Sequence, residues 1–200
     1  MTPKEISYLI YEFAGRIAVY DLTFIEKHLD KVNWAKLSIN SGIPAEFFEK
    51  YPDKVSWRWL SANKNIPVEF FEKHLDKVDW GRLSGNKNIP VEFFNRHLDE
   101  VNWVTLSRNA NISVEFFEKH LDKVDWERLS GNKNIPVEFF DRHLDKIYWR
   151  YISKNRNIPV EFFERHLDKV NWKYLSANNL PVEFFEKYLD KVDWYWLSIN

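Results

Sequence analysis

The sequence contains no cysteine. That excludes disulfides, a thiolate nucleophile and cysteine-ligated metal, and it fits a reducing compartment. No run of 18 or more apolar residues occurs, so no segment reads as a membrane-spanning helix. The first residues carry Lys4, Glu5, Glu12 and Arg16 within their apolar run and lack the uncharged stretch of a signal peptide. A cytoplasmic location is the expectation. An excess of one charge is missing as well. With 29 basic and 30 acidic residues the net charge is near −1, which gives no global bias toward nucleic acid or a membrane surface.

What is present in quantity is aromatic side chain: 18% of the residues, within a hydrophobic content of 44%. That is ample for a continuous core and argues against disorder. The aromatics are periodic. Tryptophan stands at 34, 57, 80, 103, 126, 149 and 172, every 23 residues, and at 194 after one deletion. The same wording surrounds each, as in Asn65-Ile66-Pro67-Val68-Glu69-Phe70-Phe71-Glu72-Lys73-His74-Leu75-Asp76-Lys77-Val78-Asp79-Trp80. A repeat of this length cannot bury its own apolar face, so eight copies imply a stacked array. Positions are numbered from the proline, making Pro67 position 1 and Trp80 position 14.

Positions 2, 5, 9 and 12 (Val68, Phe71, Leu75, Val78) have the spacing of one helical stripe and predict a helix of about 12 residues. Glu69 near its start and Lys77 near its end suit the helix dipole. About 11 residues remain before the next helix, room for one short α or 3₁₀ turn at Trp80 to Leu83. A leucine-rich repeat strand would need an apolar residue at position 19. That column instead holds Ile39, Ala62, Gly85, Arg108, Gly131, Lys154, Ala177 and Ile199, so no strand is expected. Residues 1–20 follow a different pattern. Thr2, Pro3 and Glu5 read as a helix start, and Ile6, Ile10, Phe13, Ala14 and Ile17 recur at helical spacing. The expected fold is therefore all-α: an α-solenoid of eight repeats of about 23 residues over 21–200, one elongated domain behind an N-terminal capping helix at 1–20.

The wording Leu-Ser-x-Asn-x-Asn-Ile-Pro-x-Glu-Phe-Phe-Glu, from Leu60 to Glu72, resembles the leucine-rich repeat variant family. It is also similar to aromatic repeat proteins predicted from giant DNA viruses. The first resemblance implies alternating α- and 3₁₀-helices in a superhelix. The chain departs from that family in carrying Lys64, Lys87 or Lys133 where proline follows the asparagine, and in its tryptophan column.

Three columns invite a chemical reading. All six histidines (His28, His74, His97, His120, His143, His166) occupy position 8, with Tyr51 and Tyr188 in the other two copies. Tyrosine is a poor replacement for a metal ligand and a good one for a packed ring with a polar tip, so the column reads as structural and no metal is expected. Serine at 18, histidine at 8 and aspartate at 10 have the composition of a triad, but an active site is not usually built eight times. The chain reads as non-enzymatic and without cofactor. Ser84 and Asn86 are expected to tie loop backbone groups, and the tryptophan column to lie in the core.

The variable columns say more. Positions 15, 16, 19 and 21 together hold twelve basic residues against one acid, Glu127, whereas helix columns 3, 6, 7, 10, 11 and 13 hold fifteen basic residues against twenty-six acids. The sequence predicts a basic, aromatic ridge made by Arg58, Trp59, Lys64, Arg82, Lys87, Arg108, Arg128, Lys133, Arg150, Tyr151, Lys154, Arg156, Lys173 and Tyr174. A scaffold gripping a protein partner, with an acidic surface, is the favoured expectation. Single-stranded nucleic acid on the same ridge is the second, and an architectural assembly protein the third. No membrane partner is expected. Trp196 and Ile199 make the last repeat apolar at variable positions, which predicts self-association there as a two-fold dimer, or else a self-cap over Phe185 and Leu189.

Overall fold

The computed structural model describes residues 22–199. The capping helix expected at 1–20 lies outside them. The chain divides into two compact units, Met1–Ile89 and Pro90–Asn200; the first holds three repeats and the second five. Among the described residues the only regular elements are sixteen helices of four to six residues, with no strand. The fold is an all-α repeat solenoid, two helices to a repeat. None of the described helices is long and apolar enough to cross a membrane.

From the second repeat on, the first helix carries a Phe–Phe pair, as in Val68–Glu72, whereas the first repeat has Phe24-Ile25 in Leu22–Glu26. The Phe–Phe helix is entered from proline at the N-cap, where the ring presets φ: Pro67 has φ −69° and ψ 154°. Ser113 takes the same place with φ −72° and ψ 155°, so losing the proline there leaves the entry unchanged. The second helix is a single turn that starts at the tryptophan, as in Trp80–Leu83. Where position 13 is Asp or Asn it caps the turn: the Asp79 carboxylate accepts from the backbone N–H of Arg82 at 2.9 Å, and the side chain of Asn102 from that of Thr105 at 2.9 Å, whereas Ser56 and Tyr148 make no such bond.

The Phe–Phe helix is half the expected length. Beyond it the backbone tightens to i→i−3 hydrogen bonds, His74 N–H to Phe71 O at 3.0 Å and Lys77 N–H to His74 O at 2.9 Å. Burial changes with it. Phe71 and Val78 are buried as the stripe requires, yet so is Phe70, which lies off it. A helix this short, covered on two sides, buries two adjacent positions rather than one stripe. The core is built from the Phe–Phe pairs, set edge to face with ring centroids 5.7 Å apart in Phe139–Phe140, together with position-17 leucine and position-23 isoleucine.

The tryptophans lie outside that core. At position 14 all but Trp194 are half-buried, and within each unit they roof the joint between repeats. Trp126 stacks on Phe139 of the next repeat, centroids 5.6 Å apart and planes 19° apart, while its indole N–H donates to Leu121 O at 3.4 Å.

Polar side chains tie the joints. Asn132, buried, donates from Nδ2 to the carbonyls of Ser107 at 3.0 Å and Asn109 at 3.5 Å in the preceding repeat, and its Oδ1 accepts from Asn134 N–H at 3.0 Å. Asn134 Nδ2 donates to Ala110 O at 2.7 Å. Ser130 Oγ donates to Trp126 O at 2.7 Å and accepts the Tyr148 N–H of the next repeat at 2.9 Å. In Met1–Ile89 the pattern is the same: Asn86 bonds Ser61 O and Asn63 O, at 3.1 and 3.2 Å. The expected loop bond exists, Asn86 Oδ1 accepting from Asn88 N–H at 3.1 Å, but the larger role crosses the joint. Among the described residues no buried side-chain N or O atom lacks a hydrogen-bond partner.

The one-residue deletion falls in the outer loop between Asn178 and Pro181. Leu180 N–H bonds Asn178 O at 2.8 Å, and Ser176 Oγ still accepts Asp193 N–H at 2.9 Å.

Candidate functional site

The two sets of charged columns differ in how their charges are spent. On the Phe–Phe helices, acid and base pair across joints. A base at position 7 meets an acid at position 6 of the preceding repeat: Lys50–Glu26 at 2.8 Å, Lys73–Glu49 at 3.1 Å, Arg165–Asp141 at 2.9 Å, Lys187–Glu164 at 2.9 Å, and Arg142–Glu118. Positions 11 and 10 add Lys77–Asp53 at 3.1 Å and Lys123–Asp99 at 3.2 Å.

The histidine column joins this network. His74 packs between Trp57 of the preceding repeat and its own Phe70, with centroids 5.1 and 5.0 Å away, and its Nε2 lies 3.0 Å from Glu49. Tyr51 and Tyr188 fill the same slot, 5.7 Å from Trp34 and Trp172. The hydrogen bond from His74, reinforced by Lys73, holds the Glu49 carboxyl below the usual carboxylate range. Arg142, then His143, does the same for Glu118. Among the described residues no three His, Asp or Glu side chains converge on a point where a metal could be held.

The ridge is different. Each tryptophan turn projects positions 15 and 16, and position 19 follows in the loop. In Met1–Ile89 the Arg82 guanidinium lies 5.3 Å from the centroid of the Trp59 ring. In Pro90–Asn200 Arg150 and Lys154 flank Tyr174 at 4.9 and 5.0 Å, and Lys173 covers Trp196 at 4.9 Å. Tyr174 and Trp196 are themselves 6.1 Å apart. The ridge's one acid is engaged from within: Glu127 accepts from the Tyr151 hydroxyl at 2.6 Å and lies 3.6 Å from Arg128. That bond raises the Tyr151 phenol above its ordinary value.

Contacts thus join positions 15, 16 and 19 between the second and third repeats, and from the fifth repeat to the eighth. Lys64 and Lys133, at position 21, are exposed on the loop beyond, as are Lys87 and Arg156. Arg108 is exposed as well. Arg58, Lys64, Arg82, Arg108, Lys133, Arg150, Lys154 and Lys173 have no acidic partner among the described residues.

The two residues expected to mediate self-association separate. Ile199 is 58% exposed. Trp196 is half-buried beneath Lys173 and belongs to the ridge. The exposed apolar residues of the last repeat also include Val182, Leu189, Trp194 and Tyr195. Trp194 shares a column with the roofing tryptophans, and that was the signal for it.

No family model matches the sequence, and neither a curated protein nor a solved structure does so.

Proposed function

We propose that the protein is a non-enzymatic scaffold that holds an acidic segment of a protein partner along its ridge. The observation that carries this reading is the contrast in pairing. The helix-face ions neutralise one another across joints, whereas most ridge cations have no carboxylate and keep their charge for a ligand. A second contrast favours polypeptide over single-stranded nucleic acid. Base stacking needs open aromatic faces, and on this ridge Trp59, Tyr174 and Trp196 carry cations over theirs. The rings hold the cations in place and stiffen a positive surface.

Fluorescence anisotropy with a labelled polyglutamate peptide and a labelled oligothymidylate of similar length, at matched salt, tests the reading. Polyglutamate is expected to bind more tightly. Changing Arg82, Lys87, Arg128 and Lys133 together to glutamate is expected to weaken it at least tenfold with the far-UV helical signal intact. Tighter binding of oligothymidylate moves the assignment to nucleic acid, and unchanged affinity in the quadruple variant removes the ridge as the site.

A further inference from the structure

Position 13 opens the tryptophan turn, and asparagine or aspartate there caps it. The sixth repeat breaks this rule with Tyr148, which makes no side-chain cap bond. A local rule broken without a gain in packing points to function. Tyr148 brings no such gain: it is 50% exposed, and its ring has no aromatic or cationic partner among the described residues.

The tyrosine stands on a cleft of about 620 Å³ between the fifth and sixth repeats, inside Pro90–Asn200. Val124 and Ile147, both buried, form its floor. One wall carries Asp125, Trp126 and Glu127, the other Asp145, Lys146 and Tyr148. Three carboxylates against one ammonium make the cleft net negative, opposite in sign to the ridge.

These groups are not equally free. Trp126 is stacked on Phe139 at 5.6 Å, and Lys146 lies 5.6 Å from the same indole. Lys169 and Lys191 take that place over Trp149 and Trp172 at 5.9 and 5.8 Å, so Lys146 belongs to the joint. Glu127 is held by Tyr151 and Arg128. Asp125 spends one oxygen on the Arg128 N–H at 2.8 Å. Asp145 is exposed and has no ion pair among the described residues, although Asp53 and Asp99 in its column pair with Lys77 and Lys123. An unstacked phenol ring and an unpaired carboxylate thus stand open, three positions apart on one wall.

We propose that this cleft takes the arginine side chain of a polypeptide, its guanidinium stacked on Tyr148 and paired with Asp145, in the negative field of Asp125 and Glu127. A guanidinium is planar and weakly hydrated, so one group can lie on a ring and present its N–H fork to a carboxylate. An ammonium has no plane to stack, and an anion would meet three carboxylates. The cleft's sign makes this inference independent of the ridge.

Titrating the nitrogen-15-labelled full chain at low salt tests it, with a blocked Gly-Arg-Gly peptide whose only charge is the guanidinium. Saturable shifts are expected at the backbone amides of 124–127 and 145–148. The matching citrulline peptide keeps the shape without the charge and should bind roughly tenfold more weakly. Tyr148→Asn removes the ring and restores the cap that Asn102 makes. It should weaken the arginine peptide about fivefold while its urea midpoint holds or rises, which separates lost binding from lost fold. Asp145→Asn, at an exposed position, should weaken it about threefold. Equal affinity for the citrulline peptide, shifts that map elsewhere, or a Tyr148→Asn variant that binds as the unaltered chain does overturns the proposal.

Discussion

A side-chain amide can take over the work of a β-ladder only where it reaches two carbonyls of the neighbouring strand of chain and has its own oxygen occupied. The position-20 asparagines do this. In Asn132→Ala the Ser107 and Asn109 carbonyls lose their donor in a buried place, at a cost of about 2–3 kcal/mol, read as a lower urea midpoint. Asn132→Asp is expected to cost more, because a carboxylate turns acceptor, and charge, toward carbonyls. The position-6 acids act at the surface and respond to pH. Arg142 and His143 depress the folded-state pKa of Glu118, so its contribution is complete above the unfolded value of about 4.3 and is lost as pH falls through the lower folded one. The side chain is 31% exposed, which keeps this contribution below about 1 kcal/mol. Glu118→Gln should therefore flatten the decline in melting temperature between roughly pH 5 and 3 and leave it unchanged at lower pH.

At the level of the helix and the turn, the half-buried tryptophan sets the scale. Trp103 covers Phe116 at 5.7 Å and His120 at 5.6 Å. Trp103→Ala should cost about 2 kcal/mol in chemical denaturation, short of the 3–5 typical of fully buried rings. His74→Tyr, at a position where the ring also bonds Glu49, should stay within about 0.5 kcal/mol, since tyrosine already fills that slot twice. A strong loss there would mean that the imidazole's hydrogen bond, and not its ring, is what the column supplies. The repeat, the helical class and the absent strand were legible because Pro67, Phe71 and Trp80 recur in step. Helix length was not. Positions 2, 5, 9 and 12 satisfy an α-helical stripe and a chain of i→i−3 turns alike. Nor could the sequence say whether Ser84 and Asn86 bond within their own loop or across a joint, because a strict repeat offers identical partners at both. The ridge showed itself through variation at positions 15, 16 and 19. The ion pairing of the other charged columns was hidden, since composition counts charges without showing where they meet.

For the molecule as a whole, stability resides in neighbour contacts, so damage is expected to stay local. Asn63→Ala should speed hydrogen exchange in Met1–Ile89 and spare Pro90–Asn200, with Asn155→Ala doing the reverse. Uniform loss of protection from either change would show that the chain opens as a single cooperative body. The shortened loop after Asn178 has a separate consequence. One residue is missing there, yet the bonds on either side, Asn178 to Ser153 and Ser176 to Asp193, are made at 3.0 and 2.9 Å. A recombination breakpoint in that loop therefore need not be accurate to the residue. Whole repeats can be gained or lost by unequal crossing-over while the flanking joints still match, and ridge length becomes something heredity can adjust by copy number.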